Sequence, residues 1–340
     1  MPKGKRVITG QQEPKLVRRF RQLFSHYKGY MSTLVELGEN YSVGFWTPLK
    51  LYALASFIHT CYLPIMANLR NGFLKDDLYY VDLLANSGIN RVNACRECQE
   101  FDQCYKCAKR FKKDKEYYFP GSPLLAATAK TPFKKMYLVE QKRKLCATLE
   151  KRLEYLSTQG QCKSSWQIFS ENCNSAIDRI IADISLNKKY HVLAFADNAG
   201  LNITWETIRK LVELDRCDLV INYPTSGVKR AFGQKATDFE LRKLPAFFGC
   251  KDIRREYKNE EQLLPAYIQK LESFGKTVIS IPVKTDTVFT YNLLVVTKAN
   301  PGYIKALEAI KETVEFNTAR DVERTLDVVL GPQKTMGQYL

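Results

Sequence analysis

The chain contains 340 residues, of which 45% are hydrophobic and 26% are charged. This is the composition of a globular protein, which excludes a disordered or fibrous chain, and it suffices for one large α/β domain plus appendages. Lysine and arginine number 52 against 36 aspartates and glutamates, and the resulting net charge of +16 is common on surfaces that bind polyanions, although it can also serve solubility alone.

The first 45 residues form a basic N-terminal extension. Residues 1–30 carry eight lysines and arginines against Glu13 alone. A helix is expected from about Lys15, with Gly29 and Gly38 interrupting the pattern. Because such a segment suits a phosphate backbone, we expect nucleic acid to bind there.

Residues 51–69 contain no charged side chain and approach the length that spans a membrane. They also include polar residues and Pro64, which hydrocarbon would penalise. The apolar residues recur at helical spacing, as a packed helix requires. We therefore predict no membrane span but a buried helix within 48–69, with a helix end near Pro64.

A buried strand over 78–84 runs into a turn of small residues, Ala85-Asn86-Ser87-Gly88. Small side chains let a cofactor approach the backbone, and Asp82 could anchor polar groups of that cofactor. The turn lacks the three-glycine pattern of dinucleotide sites, so a tight turn without a ligand is the alternative interpretation.

Two cysteine pairs follow, Cys95-x-x-Cys98 and Cys104-x-x-Cys107, with five residues between them. Four thiolates at this spacing can converge on one tetrahedral metal ion. Short linked pairs are typical of zinc sites, and an iron–sulfur cluster is the alternative. We predict a metal-binding insertion over 93–119.

The stretch 106–115, which overlaps and follows the last of these cysteines, is basic. Aromatic residues lie beside it, and such a mixture suits phosphate contact and base stacking. A solvated loop face is the alternative. The aromatic residues are Tyr105, Tyr117, Tyr118 and Phe119.

The remaining cysteines stand singly and are expected to be small buried residues. No secretory signal precedes them, so we expect no disulfide framework and a cytoplasmic protein. These cysteines are Cys61, Cys146, Cys162, Cys173, Cys217 and Cys250.

Strands and helices alternate along the rest of the chain, which indicates a doubly wound, mostly parallel Rossmann-like sheet. Such sheets bind ligands beyond the carboxyl ends of their strands, where the strand order switches. Further strands are predicted at 135–139, 166–169, 191–196, 218–221, 278–282 and 291–296, and helices at 120–129, 141–156, 174–187, 205–214 and 261–274.

The strand 135–139 is closed by Glu140, an acid placed to hold both hydroxyls of a ribose. In dinucleotide sites that acid follows the glycines by about 20 residues. Here it follows Gly88 by 52 residues (140 − 88), with the cysteine loop filling the excess.

A series of short segments resembles the three-Cys-motif partner family, a group of Rossmann-like proteins similar to class I S-adenosylmethionine-dependent methyltransferases. The resemblance runs from about residue 45 to residue 313, and the two segments that begin at Asp197 and Asp218 carry most of its specificity. The segments are Phe45-Trp46-Thr47-Pro48-Leu49-Lys50, Val81 to Gly88, Gly121-Ser122-Pro123, Glu140, Asp197-Asn198-Ala199-Gly200-Leu201, Trp205-Glu206-Thr207, Asp218 to Thr225, Phe247-Phe248-Gly249 and Val296 to Gly302.

The resemblance implies a methyltransferase-type domain over 46–313 and a C-terminal tail over 314–340. It implies S-adenosylmethionine as the cofactor and a separate three-Cys-motif protein as a possible partner. The cofactor loop would contain Asp82, Ala85 and Gly88. Glu140 would hold the ribose, Asn172 would read the adenine edge, and Asp197 would face the transferred methyl group.

The sequence departs from the family pattern in three places. Asn86 stands where the family has glycine, and Asn198 stands where it has proline. The segment at Asp197 also differs from the Asp-Pro-Pro-aromatic sequence of amino-group methyltransferases, which argues against an exocyclic amine as the acceptor. The cysteine loop between Gly88 and Gly121 is an insertion that the family name does not explain.

The leading hypothesis is methyl transfer to nucleic acid, with RNA ahead of DNA. Asp197 would orient the acceptor or take its proton. Asn222 and Tyr223 would line the acceptor pocket, with Tyr223 stacking a base. Cys173 and Cys217 are weaker candidates, as methyl-accepting nucleophiles.

Two other classes of function remain. The chain could be an inactive adaptor that docks a partner protein through its metal loop, with Asn86 and Asn198 as signs of a lost active site. A nicotinamide-dependent oxidoreductase is disfavoured, because no glycine fingerprint is present and His191 begins its strand at the wrong edge of the sheet.

Overall fold

The structure is a computed structural model that describes residues 14–44, 47–72, 76–92, 117–198, 200–233, 236–284, 290–298, 301–315, 317 and 319–329. The four paired cysteines, Tyr105, Phe45 and Trp46 lie outside the described residues.

Apolar, β-branched and aromatic runs form strands of two sheets in the described residues. The strands are β1 (Tyr41–Val43), β2 (Asp77–Asp82), β3 (Ile89–Val92), β4 (Tyr117–Pro120), β5 (Lys135–Val139), β6 (Ser165–Phe169), β7 (Tyr190–Ala196), β8 (Cys217–Tyr223), β9 (Thr277–Lys284) and β10 (Thr290–Thr297).

The larger sheet has seven strands in the order β6-β5-β2-β7-β8-β10-β9. The first five are parallel, whereas β10 lies antiparallel to both β8 and β9. In chain order the five parallel strands follow the arrangement 3-2-1-4-5 of doubly wound sheets. The prediction of a mostly parallel, Rossmann-like sheet is confirmed, and its strand order switches between β2 and β7.

Helices cover both faces of this sheet. They are α1 (Lys15–Phe24), α2 (Met31–Glu36), α3 (Thr47–Ser56), α4 (Leu63–Gly72), α5 (Ser122–Ala127), α6 (Arg143–Thr158), α7 (Cys173–Ser185), α8 (Trp205–Val212), α9 (Thr225–Phe232), α10 (Asp238–Phe248), α11 (Ile253–Glu256), α12 (Leu263–Glu272), α13 (Pro301–Glu315) and α14 (Ala319–Val329).

Successive side chains of β2 enter two different hydrophobic cores, because neighbouring residues of a strand point to opposite faces. Leu78 and Tyr80 join the core that contains α1, α3 and α13. Tyr79 and Val81 join the core that contains α7, α8, α10 and α12. A cleft opens at the edge of the sheet where the strands end and these two cores meet.

The apolar helix expected near residue 51 lies inside the first core. Residues Thr47–Asn68 are long and apolar enough to cross a membrane, but 78% of their most apolar window is buried in the protein. The predicted end near Pro64 is wrong. The π-helical turn Phe57–Tyr62 connects α3 to α4, and the helix continues to Gly72. Proline is tolerated there because the turn has already shifted the backbone hydrogen-bond pattern.

The smaller sheet was not predicted, since its strands have only three or four residues each. β3 pairs with β1 in parallel and with β4 antiparallel. Tyr117, Tyr118 and Phe119 lie on β4 and are buried, with at most 6% exposure. The prediction that these three aromatic residues stack bases is therefore wrong, because they pack in the protein core.

Candidate active site

A cleft of about 540 Å³ opens beyond the carboxyl ends of β2, β5, β7 and β8. This volume lies within the usual range for small-molecule sites, which is about 300–1,000 Å³. Five of the predicted site residues line this one cleft: Ala85, Gly88, Glu140, Asp197 and Asn222.

The loop after β2 crosses the switch in strand order and is fixed to both neighbouring strands. The Leu83 amide donates to the Phe195 carbonyl (3.0 Å), and the Ala85 amide donates to the Val139 carbonyl (2.8 Å). Asn86 then adopts the left-handed conformation, with φ of 57°. Glycine adopts this conformation freely and asparagine is one of the few side chains that tolerate it, so Asn86 is compatible with the loop.

The position of Gly88 leaves no room for a side chain. Its φ is 87°, and a Cβ would lie 3.0 Å from Cδ1 of Leu149 and 3.1 Å from Cγ of Leu124. Its carbonyl accepts a hydrogen bond from the Gly121 amide (2.7 Å). These contacts hold the small-residue turn against α5 and α6.

The buried side chain of Arg152 also holds this loop in place, a role that the sequence analysis did not predict. Its side chain is fully buried and donates to the carbonyls of Ser87 (2.7 Å) and Leu34 (2.7 Å) and to Oδ1 of Asn40 (2.8 Å). Burial without a carboxylate lowers the pKa of Arg152 to about 10. The guanidinium thus ties the loop to the segment before β1.

Glu140 follows β5 directly and lies next to this loop. Its side chain is 8% exposed, and Oε1 accepts a hydrogen bond from the Lys142 amide (2.8 Å). No described residue donates to its other oxygen. A carboxylate oxygen is therefore left for a ligand in the cleft.

Asp82 lies beneath the loop and does not line the cleft. Its side chain is fully buried, and it accepts hydrogen bonds from the Tyr80 hydroxyl (3.2 Å) and the Leu84 amide (3.3 Å). Burial raises the pKa of Asp82 to about 7, against the opposing effect of a hydrogen bond from Ser122. The expectation that Asp82 reaches a cofactor is not met in this arrangement, because the carboxyl supports the loop instead.

The other end of the cleft contains a charged pair and an amide. Nζ of Lys50 lies 2.5 Å from Oδ2 of Asp197, and Nδ2 of Asn222 donates to Oδ1 of the same aspartate (2.7 Å). The Lys50 side chain is 9% exposed and the Asp197 side chain 22%. Sequence reasoning missed Lys50, although a single lysine in the apolar helix α3 was a signal.

Asn222 has an unused acceptor. Its side chain is buried, and among the described residues its Oδ1 has no hydrogen-bond partner. Tyr291, on β10, lines the cleft close to Asp197. Burial, together with the Asp197 charge, raises the pKa of Tyr291, which therefore stays protonated.

Tyr223 does not line the cleft, so its predicted place in the acceptor pocket is wrong. It follows Asn222 on the same strand and therefore points to the opposite face of the sheet. Its ring packs against Phe247 and Tyr267, with centroids 5.6 Å and 5.4 Å away, and it is 1% exposed.

Asn172 also lies outside the cleft. Its Oδ1 accepts a hydrogen bond from the Asn174 amide (2.9 Å) and caps the N-terminus of α7. This position corrects the expectation that Asn172 reads the adenine edge. Asn198 has a structural role as well, since its Oδ1 accepts from the amides of Asn202 (2.6 Å) and Ile203 (3.2 Å).

Several other candidates are unsuited to catalysis. Burial raises the pKa of Cys173 to about 11 and that of Cys217 to about 12, so few thiolates form at neutral pH. His191 lies beside Asp76 at the amino end of β7, as expected. Cys95, Cys98, Cys104 and Cys107 lie outside the described residues, within which no group of three or more potential metal ligands occurs.

No family model and no curated protein matches the chain. Among solved structures, protein LPL1258 from Legionella pneumophila str. Philadelphia 1 is 12% identical, with a TM-score of 0.46, over 82% of this chain and 94% of its own. The methyltransferase domain of bacterial CtHen1-C is 14% identical, with a TM-score of 0.31, over 69% of this chain and 96% of its own. Similarities this low transfer no residue roles.

Proposed function

We propose that this protein is an S-adenosylmethionine-dependent methyltransferase that acts on nucleic acid, with RNA ahead of DNA. One observation carries the proposal: a single cleft at the switch in strand order joins the loop of Ala85 and Gly88, the acid Glu140 and the pair Asp197 and Asn222. Doubly wound sheets bind nucleotide-like ligands at this place.

The half of the cleft near β2 and β5 suits the adenosine part of the cofactor. The turn of small residues allows close approach to the backbone, and the carboxylate oxygen of Glu140 that does not accept from the Lys142 amide can accept from a ribose hydroxyl. Bound S-adenosylmethionine would supply a methyl group on a sulfonium, and a neutral thioether would leave as the bond from methyl to the acceptor forms. The protein's own task is therefore mainly to position the acceptor.

The half near β7 and β8 suits an acceptor that donates hydrogen bonds. Asp197 is held on both oxygens, by Lys50 and by Asn222, so its orientation is fixed. A carboxylate retains further lone pairs beyond these two contacts, so Asp197 can accept a hydrogen bond from a bound group. Asp197, itself oriented by Asn222, can accept a hydrogen bond from an acceptor hydroxyl and take its proton.

Basic side chains near the cleft support a polyanionic substrate. Lys142, Arg143 and Lys144 are exposed where α6 begins, and Gln141 separates them from Glu140. Positive charge at the N-terminus of a helix opposes the helix dipole, so this cluster is unfavourable for the helix itself. Arg18 on α1 is also exposed, in keeping with a basic N-terminal region. Lys144 pairs with Glu39, whereas Lys142 lines the cleft, where it can contact a phosphate.

We also propose that Cys95, Cys98, Cys104 and Cys107 bind zinc, or alternatively an iron–sulfur cluster. Their loop connects β3 to β4, and Asn90 of β3 lines the cleft. A metal-stabilised loop that starts there could contact the nucleic acid or a separate three-Cys-motif protein.

Calorimetric titration with S-adenosylmethionine tests the cofactor. Glu140→Ala is expected to weaken binding by about 10- to 100-fold, the usual effect of losing hydrogen bonds to a charged group. Glu154→Ala, an exposed site on α6, is the matched control and should leave affinity unchanged. Equal affinity of Glu140→Ala and wild type would remove Glu140 from the site. No binding by wild type at millimolar cofactor would favour the inactive adaptor.

A further inference from the structure

Exposed aromatic side chains are concentrated at the cleft. Five large apolar side chains are exposed among the described residues: Tyr41, Leu186, Phe239, Leu241 and Val328. The two aromatic ones, Tyr41 and Phe239, both line the cleft. Of the two, Phe239 is the more accessible, at 57% against 38% for Tyr41.

Phe239 is held in place by the helix that carries it. The Thr237 side chain and Glu240 form a capping box at the start of α10. The opposite face of α10 is buried through Leu244, Phe247 and Phe248. Because both the start and the inner face of the helix are anchored, the ring is presented at a defined place.

Two cations accompany this ring. Nζ of Lys243 lies 4.0 Å from the centroid of the Phe239 ring and also donates to Oδ1 of Asn202. Arg230, on α9, pairs with Glu240 and lines the same cleft. An aromatic ring beside positive charge is the combination with which proteins bind unpaired bases and their phosphates.

We propose that Phe239, Lys243 and Arg230 form a stacking platform for an unpaired base of a single-stranded nucleic acid. Phe239 stacks the base, while Lys243 and Arg230 contact the adjoining phosphate. This inference rests on the proposed function, because it places the platform on the path of the acceptor to Asp197.

The depth of the acceptor site explains why a single strand is the fitting substrate. The Asp197 side chain is 22% exposed and Asn222 is 6% exposed, both at the ends of strands inside the cleft. A base within a duplex cannot reach such groups unless it leaves the stack. An aromatic ring at the mouth offsets part of the lost stacking energy.

Fluorescence anisotropy with the full-length protein tests the platform. The probe is a labelled pool of randomised single-stranded RNA of about 15 nucleotides, the upper range of such binding sites, with a duplex of equal length as competitor. Phe239→Ala is expected to weaken binding of the single strand by about 5- to 100-fold, and Phe239→Tyr should retain most of it. Lys243→Met should reduce the salt dependence by about one phosphate contact.

Leu186→Ala is the matched control, since Leu186 is 84% exposed and does not line the cleft. Unchanged RNA affinity in Phe239→Ala, absent binding by wild type, or a preference for the duplex would each overturn the platform. Overturning it would leave a partner protein as the occupant of this surface. Titration of the same variants with S-adenosylmethionine separates this proposal from the proposed function. If RNA binding depends on Phe239 but the protein does not bind the cofactor, the methyltransferase proposal is contradicted and the stacking platform is retained.

Discussion

Nζ of Lys50 lies 2.5 Å from Oδ2 of Asp197, although 147 residues of chain separate them. Lys50 comes from α3, whose ten residues are all buried, and Asp197 follows β7. The contact therefore connects a core helix to the end of the strand beside the switch in strand order. It also places a cation at the acceptor end of the cleft, where it fixes the carboxylate.

Replacing Lys50 by methionine should destabilise the protein and disturb the site. The substitution keeps most of the side-chain volume but leaves the partly buried Asp197 without its cation. We expect the free energy of unfolding in urea to fall by about 1–3 kcal/mol, less than for a fully buried pair because Asp197 is partly solvated. Methyl transfer should fall as well.

The matched control is Lys134→Met. Lys134 lies 2.5 Å from Asp77, but the lysine side chain is 55% exposed. Pairs of this kind contribute little to stability, so the control should change unfolding much less. In a double-mutant cycle, Asp197→Asn should remove most of the effect of Lys50→Met. Independent, additive effects would show that the pair is not energetically coupled.

The buried carboxyl of Asp82 should make stability depend on pH. Burial raises its pKa from 3.8 to about 7 in the folded protein. Between these values the folded state retains a proton that the unfolded state has lost. The free energy of unfolding should therefore fall as pH rises from about 4 to about 7, by at most about 1.4 kcal/mol per pH unit, and then level off.

Asp82→Asn isolates this contribution, because asparagine keeps an acceptor for the Leu84 amide and does not titrate. Urea unfolding of both proteins across that pH range gives the comparison. Other carboxyl groups titrate in both proteins, so only the difference between them is informative. A constant difference at all pH values would mean that Asp82 titrates normally.

The turn at the cofactor end gives a third prediction. In Gly88→Ala the added methyl group meets Leu149 and Leu124, and the left-handed backbone disfavours it. We expect a loss of about 1–3 kcal/mol in unfolding free energy, together with weaker binding of S-adenosylmethionine. Differential scanning calorimetry and titration calorimetry measure the two effects.

Gly29→Ala is the control, since a Cβ there meets nothing within 4 Å. Asn86→Gly tests the same turn in the opposite direction. It keeps access to the left-handed conformation but removes the side-chain oxygen that accepts from the Ser87 amide (2.8 Å), so the free energy of unfolding should fall by about 0.5–1.5 kcal/mol. Cofactor affinity should rise, because a side chain is removed from the lining of the cleft. Weaker cofactor binding in Asn86→Gly would show that the asparagine side chain contacts the ligand.

The sheet and much of the cleft could be predicted because both depend on patterns that can be recognised in the sequence alone. Apolar strand runs alternating with helices imply parallel strands, and the carboxyl ends of those strands meet at one edge. Glu140 and Asn222 are predicted because each stands at such an end, whereas the family resemblance implies Asp197. Their shared place in one cleft follows from the strand order.

The errors arose where the orientation of a side chain decides its role. Asn222 and Tyr223 are predicted to line one pocket, yet their side chains point to opposite faces of the sheet. A continuous apolar run in the sequence does not show which residues lie on which face. Asn172 follows β6 but serves as a helix cap, a role that asparagine also favours. Lys50 was overlooked because its partner is 147 residues away.

The cysteine loop supports the last prediction, which concerns bound metal. If Cys95, Cys98, Cys104 and Cys107 hold zinc, Cys98→Ser removes one of four ligands, and the purified variant should lose most of its metal by atomic absorption. Cys250→Ser is the control, because Cys250 is a single, half-buried cysteine outside the loop. Its metal content should equal that of wild type.

The consequence for stability should be local. β3 and β4 bracket the loop, and Asn90 on β3 lines the cleft, so loss of the metal should weaken cofactor or RNA binding more than it lowers the melting temperature. Full metal retention in Cys98→Ser would remove this cysteine from the site. Metal loss with unchanged binding would instead assign the loop to a partner protein, because the cleft would then work without it.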